Sequence, residues 1–266
     1  MGKIGIDAGG SLIKIVYPED QKIHYKMYPI EEAKQVVQWL NFTAPDSTIR
    51  LTGGKSARLQ FALNQETTFV DEFTAMTNGA RFLLREENVQ VNDFVLVSLG
   101  TGTSIFHVTE QSFERVMGTG IGGGTLMGLG TLIGGSLSYH EIVERAKLGD
   151  RTRSDLLVRD IYENMASPLL GDLTAANFGK AHWNKEATVN DHLAALIQLI
   201  GETIILLAGS VAQVKGTKHI VFVGSTLTAN DSLKQVFTQF KTMLDYEPIF
   251  LEKGAFAGAI GAFYHD

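Results

Sequence analysis

Apolar strand-like runs that break at glycine–hydroxyl turns recur along this chain. Lys3–Ile6 reads as a strand, Asp7-Ala8-Gly9-Gly10-Ser11 turns it, and Leu12–Val16 returns it. Ser11, Ile13 and Ile15 then share one face, and Leu12, Lys14 and Val16 the other. Phe94–Leu99 is a second apolar, β-branched run. It stops at Gly100-Thr101-Gly102-Thr103-Ser104 and returns through Ile105–Val108, a second hairpin around a small turn. Ile220–Val223 ends the same way, in Gly224-Ser225-Thr226. Further strands are expected at Ile49–Thr52, Thr67–Val70, Phe113–Met117 and Pro248–Leu251. Helices are expected at Glu31–Asn41, Thr74–Glu86, Leu126–Leu132, Ser138–Lys147, Ser154–Tyr162, Asp191–Lys215, Ser232–Phe240 and Gly254–Tyr264.

Between Phe113–Met117 and the helix at Leu126 lies Gly118-Thr119-Gly120-Ile121-Gly122-Gly123-Gly124-Thr125. Bare backbone N–H groups leading into a helix start suit an anion. The plainer alternative is a set of tight turns. Gly118, Gly120 and Gly123 formally spell G-x-G-x-x-G, but the preceding Phe-Glu-Arg-Val-Met is too polar for a central parallel strand. No βαβ unit follows, so a dinucleotide site is not expected. Gly53-Gly54-Lys55-Ser56 imitates a P-loop, yet the first glycine of that motif would fall at Ile49, inside a strand. It reads as a strand-end turn.

Five charged positions stand near these turns. Asp7 either hydrogen-bonds its own turn or, with Lys14, serves a ligand. Asp71 reads as a helix cap, whereas Glu72, at the end of a strand, is a general-base candidate. Arg115 is either a solvated strand residue or, just ahead of the glycine cradle, a group that holds a phosphate or a developing charge.

Composition narrows the partners. A chain of 266 residues with 44% hydrophobic content can bury a sizeable core. Its net charge of −6, with no basic cluster, argues against nucleic-acid and anionic-membrane partners. With no cysteine, thiolate metal sites and cysteine nucleophiles are excluded. Leu193–Val214 is apolar enough to suggest a membrane span, but Gln198, Gly201, Glu202 and Gln213 interrupt it, so a buried helix is expected. Met1–Gly10 has no signal-peptide hydrophobic region, and a soluble, cytoplasmic protein is expected.

Taken together, the Asp-x-Gly-Gly-Ser hairpin, the Gly-Thr-Gly-Thr-Ser hairpin and the late strand ending in Gly-Ser resemble the phosphate-1, phosphate-2 and adenosine elements of the ASKHA superfamily of actin and hexokinase relatives. Within it the chain resembles the type II pantothenate kinases in their compact bacterial form. The likeness runs through DAGGSLIK (Asp7–Lys14), LTGG (Leu51–Gly54), VDEF (Val70–Phe73) and GTGTS (Gly100–Ser104). It continues through RVMGTGIGGGT (Arg115–Thr125), GDR (Gly149–Arg151), VRDIY (Val158–Tyr162), GDLTAANFG (Gly171–Gly179) and GAFAGAIGAFY (Gly254–Tyr264). The resemblance implies a two-lobed ASKHA α/β fold with a nucleotide cleft between the lobes. It implies a first lobe at residues 1–92, against which the terminal helix (254–266) packs back, and a second at 93–266 that includes dimer-forming helices. It implies ATP-dependent phosphorylation of pantothenate to 4′-phosphopantothenate, the first step toward coenzyme A, in a homodimer.

The same resemblance implies site roles. Glu72 matches the catalytic base and Arg115 the arginine at the transferring phosphoryl group, also in contact with substrate. Asp7, Ala8, Gly9, Gly10, Ser11, Leu12, Ile13 and Lys14 match one nucleotide-phosphate element, and Gly122, Gly123, Gly124 and Thr125 another. Asp7 would orient a hydrated Mg2+ through water. Thr101 and Ser104 match hydroxyls lining the phosphate and pantothenate sites. Tyr139 and Ser225 match positions beside the nucleotide, and Thr174 and Ala175 lie in the loop that completes pantothenate binding. Other members carry serine or an apolar residue where this chain has Thr101 and Thr103, so which of Thr101, Thr103 and Ser104 touches substrate stays open. Two other readings of the same fold are an ASKHA sugar kinase, which would be expected to use an aspartate base, and an ATP-binding scaffold without transfer.

Overall fold

One strand arrangement is built twice in this chain. The computed structural model describes residues 2–162 and 170–265. In the first sheet, β1 (Lys3–Ala8), β2 (Leu12–Glu19) and β3 (Lys22–Pro29) form an antiparallel meander. There β4 (Thr48–Thr52) and β5 (Thr67–Phe69) add in parallel beside β1. In the second, β6 (Phe94–Leu99), β7 (Thr103–Val108) and β8 (Phe113–Thr119) form the meander. After a short ribbon of β9 (Leu156–Leu157) and β10 (Thr174–Ala176), β11 (His219–Val223) and β12 (Glu247–Phe250) add in parallel beside β6. The orders β3-β2-β1-β4-β5 and β8-β7-β6-β11-β12 therefore correspond strand for strand. Turn 9–11 and turn 100–102 occupy equivalent places, each joining the first two strands of its sheet.

The helices are α1 (Ala33–Thr43), α2 (Ser56–Gln60), α3 (Glu72–Glu86), α4 (Gly123–Gly134), α5 (Tyr139–Lys147), α6 (Val158–Tyr162), α7 (Val189–Lys215), α8 (Asp231–Gln239), α9 (Lys241–Leu244) and α10 (Ala257–Phe263). Helix α1 buries Val36, Val37 and Leu40 among Ile4, Ile6, Ile13, Ile15, Ile49 and Leu51. The other face of the first sheet shares a cluster with α3, α10 and the second sheet, including Val16, Leu83, Leu96, Phe106, Ile260 and Phe263. Both faces of β2 are thus buried, which is why its sequence is nearly continuous in apolar residues. Helix α7 is long and apolar enough to cross a membrane by length and composition, and it buries Leu193, Leu196, Ile197, Ile200, Ile204 and Ile205 within the fold.

By contacts, the chain groups into two compact units. One is Met1–Thr119 with Ala208–Thr228 and Tyr246–Asp266; the other is Gly120–Leu207 with Ala229–Asp245. Both large sheets belong to the first unit, although their strands separate in sequence at Asn92, between β5 and β6.

Several expected helices start elsewhere: α4 begins at Gly123 rather than Leu126, and 3₁₀ turns at Ile30–Glu32 and Gly254–Phe256 precede α1 and α10. The helix expected from Thr74 begins at Glu72, because the Asp71 carboxylate caps it by accepting from the Thr74 N–H at 2.8 Å. The helix expected over Ser154–Tyr162 is a 3₁₀ turn at Arg151–Arg153, then β9, then the short α6. Asp150 caps that turn by accepting from the Thr152 N–H, and buried Asp155 takes the Phe178 N–H, which fixes the chain in a non-helical path.

Candidate active site

The first unit gathers Asp7, Lys14, Glu72, Arg115 and Ser104 around the paired turns. Asp7 and Lys14 face each other across β1 and β2, and their side chains form an ion pair at 3.3 Å. Asp7 bonds Lys14 rather than its own turn, which is closed instead by the Gly9 N–H donating to Leu12 O at 2.9 Å. Both charged residues are buried, so the pair is weakly screened. Helix α10 packs on β1 and brings Gly258 against the Asp7 side chain. A Cβ there would lie 2.9 Å from Asp7 Oδ2. The small residues of the terminal helix therefore have a packing reason: only glycine leaves room for the Asp7 carboxylate beneath it.

The two equivalent turns meet. Ser11 Oγ and Thr101 Oγ1 lie 3.0 Å apart, within hydrogen-bond distance. Among the described residues, the N–H groups of Gly10, Ser11, Thr101 and Gly102 have no acceptor. Open amides flanked by hydroxyls are the chemistry of a phosphate cradle. Thr226, after β11, donates its hydroxyl to Gly100 O at 3.1 Å, so the Gly224-Ser225-Thr226 segment braces the second turn and holds half-buried Ser225 beside it.

Glu72 stands in the first turn of α3. Its side chain reaches solvent, yet the surrounding protein desolvates it enough to hold its carboxyl above the ordinary carboxylate range. Desolvation is the largest cause; the Asp7 charge pushes the same way, Lys14 opposes, and Asp71 raises it further. Glu72 is thus electrostatically coupled to the Asp7–Lys14 pair. A carboxylate with a raised pKa is a better proton acceptor, as general-base work requires.

Arg115 is placed by a β-bulge. Ile105 opposes Met117 but Phe106 opposes Arg115, so Val116 is the extra residue of β8. The bulge sets Arg115 on the face of Phe106, Ser104 and Gly118. A regular strand would have put it with Met117 on the opposite one. The guanidinium lies 5.4 Å from the Phe73 ring centroid, and Nε donates to Ser104 Oγ at 3.4 Å. Gly118 keeps the path open, since a Cβ there would run into the guanidinium. Phe73 in turn meets Phe106 edge to face at 5.4 Å. Glu72 and Phe73 are consecutive, so the base candidate and the arginine share one support.

The remaining expected residues belong to the second unit. Thr125, in the first turn of α4, donates its hydroxyl to Gly120 O at 2.9 Å and accepts from the Gly122 N–H at 3.3 Å, which shapes the glycine loop from within. Tyr139 begins α5 behind a Ser138–Glu141 capping box. Burial pushes its phenol up to about 12, while a hydrogen bond with Asn230 pulls the other way. Thr174 opens β10 and accepts from Arg151 Nη1 at 3.1 Å, while Ala175 beside it is exposed. Arg151 also binds Asp155 at 3.2 Å, and Asn177 donates to Glu202 of α7 at 3.2 Å. Sequence reading missed this polar network: Asp155 and Arg151 serve strands of two and three residues, too short to show a period. Among the described residues no cluster of three acidic or histidine side chains offers a metal cage. Asp7 is a buried carboxylate beside the open turns, of the chemistry that could hold a hydrated Mg2+ through water.

Comparison with known proteins places the chain in a family. The sequence model of the Fumble family matches residues 20–265. The type II pantothenate kinase of Oceanobacillus iheyensis is 46% identical over 263 residues, covering 98% of this chain and 98% of that protein. The type II pantothenate kinase of Staphylococcus aureus is 39% identical over 264 residues, 98% of each. Among solved structures, the activator of the 2-hydroxyisocaproyl-CoA dehydratase from Clostridium difficile superposes with a TM-score of 0.65 at 14% identity, over 99% of this chain and 93% of that one. A ROK family glucokinase from Streptomyces griseus superposes with a TM-score of 0.55 at 11% identity, over 99% and 98%. These distant structures establish the ASKHA α/β fold alone. A family match over most of the chain, and relatives this similar from end to end, make the chain a member of the Fumble family, that of the type II pantothenate kinases.

Proposed function

We propose that this chain transfers the γ-phosphoryl group of ATP to the primary hydroxyl of pantothenate, giving 4′-phosphopantothenate, with Glu72 as general base and Arg115 at the transferring group. The observation that carries the reading is the Glu72 carboxylate, basic for its type, coupled to the Asp7–Lys14 pair and adjacent to the Phe73-supported guanidinium. Phosphoryl transfer needs little covalent chemistry from a protein. It needs in-line positioning, cationic neutralisation and a base at the nucleophile. Glu72 takes the hydroxyl proton as the oxygen attacks. Arg115, held by Ser104, offers N–H donors to the equatorial oxygens. The Asp7–Lys14 segment, through its open Gly10 and Ser11 amides, and the Gly122–Thr125 segment receive nucleotide phosphates, Thr101 lines the same space, and Tyr139 and Ser225 flank the nucleotide. Thr174 and Ala175 complete the pantothenate site. A bound Mg2+ would supply charge neutralisation on the phosphates, with Asp7 orienting its water.

The lobes are taken to divide near Asn92, after α3 and ahead of the first strand of the second sheet. A cytoplasmic homodimer follows from the family resemblance. Sedimentation at two protein concentrations tests the dimer.

The substrate assignment is tested by ADP release from MgATP with pantothenate, glucose or N-acetylmannosamine as acceptor. Turnover with pantothenate alone is expected. Turnover with a sugar and none with pantothenate moves the chain to the sugar-kinase reading, and no acceptor-dependent turnover at all favours the scaffold.

A further inference from the structure

The Gly53-Gly54-Lys55-Ser56 segment looks like a plain turn in the sequence, and the chemistry above leaves it unused. In the structure it is folded onto the tip of the first phosphate-type hairpin. Gly53 adopts φ +90°, a left-handed conformation that lets the chain pass tightly under Ala8 and Asp7. Ser56 locks the turn by donating its hydroxyl to Gly53 O at 2.6 Å. Lys55 then grips the hairpin twice: its backbone N–H donates to Ala8 O at 2.9 Å, and its ammonium donates to Gly10 O at 2.5 Å.

That second bond matters chemically. The Gly10 carbonyl and the Ser11 N–H belong to one peptide unit, and the Ser11 N–H has no acceptor among the described residues. A cation on the oxygen polarises the unit and strengthens the N–H as a donor. The ammonium has two further N–H donors and sits at an exposed position over the turn, where an incoming phosphate can reach it, and its charge is not spent on a carboxylate. No acidic side chain pairs with Lys55 among the described residues.

We propose that Lys55 is a further positioning residue of the nucleotide site, which holds the 9–11 turn in its anion-receiving geometry and adds positive charge for the ATP phosphates. This rests on reading Asp7–Lys14 as a phosphate element. The experiment measures KM for ATP, KM for pantothenate, kcat and thermal stability for Lys55→Gln and Lys55→Arg, beside Ser11→Ala and Lys14→Met. It adds titrations with ADP and with adenosine.

Losing a charged hydrogen bond and its field predicts that Lys55→Gln raises KM for ATP by about tenfold or more. KM for pantothenate and the melting temperature should stay near native, and Lys55→Arg should restore most of the affinity. ADP binding should weaken while adenosine binding does not, a split that a merely structural lock would not produce. An ATP KM within about twofold of native in Lys55→Gln overturns the proposal. If Ser11→Ala and Lys14→Met still lose ATP affinity in that case, the phosphate element stands and only Lys55 is removed from it. If none of the three responds, the reading of the element itself fails, and the proposal with it.

Discussion

Gly258→Ala is a small change with an unequal expected effect on stability and on activity. The added Cβ would lie 2.9 Å from Asp7 Oδ2 and 3.1 Å from Asp7 Cγ, closer than van der Waals contact allows. Helix α10 cannot retreat, because Gly261 already abuts the Ala75 carbonyl of α3 and Gly79 of α3 abuts the Ala257 carbonyl. The Asp7 side chain must therefore swing, and its 3.3 Å pair with Lys14 opens. Alanine gains about 0.5–1 kcal/mol over glycine within a helix. Overpacking a tight site costs about 1–3 kcal/mol. The net loss is then about 0–2.5 kcal/mol, about 5 °C or less in melting temperature for a chain of this size. Activity is another matter. Displacing a positioned group by about 1 Å can cost on the order of a hundredfold in rate, so kcat/KM for ATP should fall at least about tenfold. Thermal melts and initial rates on the same preparation separate the two effects. A variant that melts like the native protein and keeps kcat/KM within about twofold would refute the argument that Asp7 needs the space beneath Gly258.

Three further outcomes follow from the same geometry. Burial and the Asp7 charge hold the Glu72 carboxyl above its ordinary range, and a base works only when deprotonated, so kcat/KM should rise with pH along a limb above ordinary carboxylates. Lys14 opposes that shift, so Lys14→Met should move the limb to higher pH; a limb that stays still or moves down contradicts the coupling. Arg115→Lys removes the flat group that stacks on Phe73 and reaches Ser104, and should lower kcat by about a hundredfold or more in a steady-state assay. A kcat within a few-fold of native would show that charge alone suffices. Asp155→Ala leaves the Phe178 N–H without its acceptor and takes one partner from Arg151, which keeps Thr174 and Asp172, and should cost about 1–3 kcal/mol by denaturant titration; an unchanged midpoint would show that the network carries no load.

What was legible in the sequence was whatever repeats over several residues. The hairpin of Asp7 and Lys14 is readable because two apolar runs flank it and two glycines mark the turn; that the two residues pair across it is set by the register. The hairpin at Gly100–Ser104 is readable for the same reason. The family likeness tied them to one chemistry. Features that depend on a single residue were hidden. The bulge at Val116 decides where Arg115 points, and no periodicity announces it. The Asp71 cap itself was readable, but not that it would draw Glu72 into the helix, two residues ahead of the start the apolar spacing gives. Lys55 resembles a failed motif until the folded chain brings it to Gly10. Strand β3, KIHYKMYP, carries no turn motif and was not anticipated, although its half-buried face completes the first sheet.

The central claim is that Glu72 accepts the proton from the hydroxyl that attacks ATP. The most direct measurement is pantothenate-dependent ADP release by native protein and by Glu72→Gln at saturating MgATP, with nucleotide affinity measured alongside. The glutamine keeps the shape of the side chain and loses its basicity. Turnover should fall by on the order of 10²–10⁴ while nucleotide affinity is retained. Turnover that survives the substitution at near-native rate would keep the kinase and take the proton-accepting role away from Glu72.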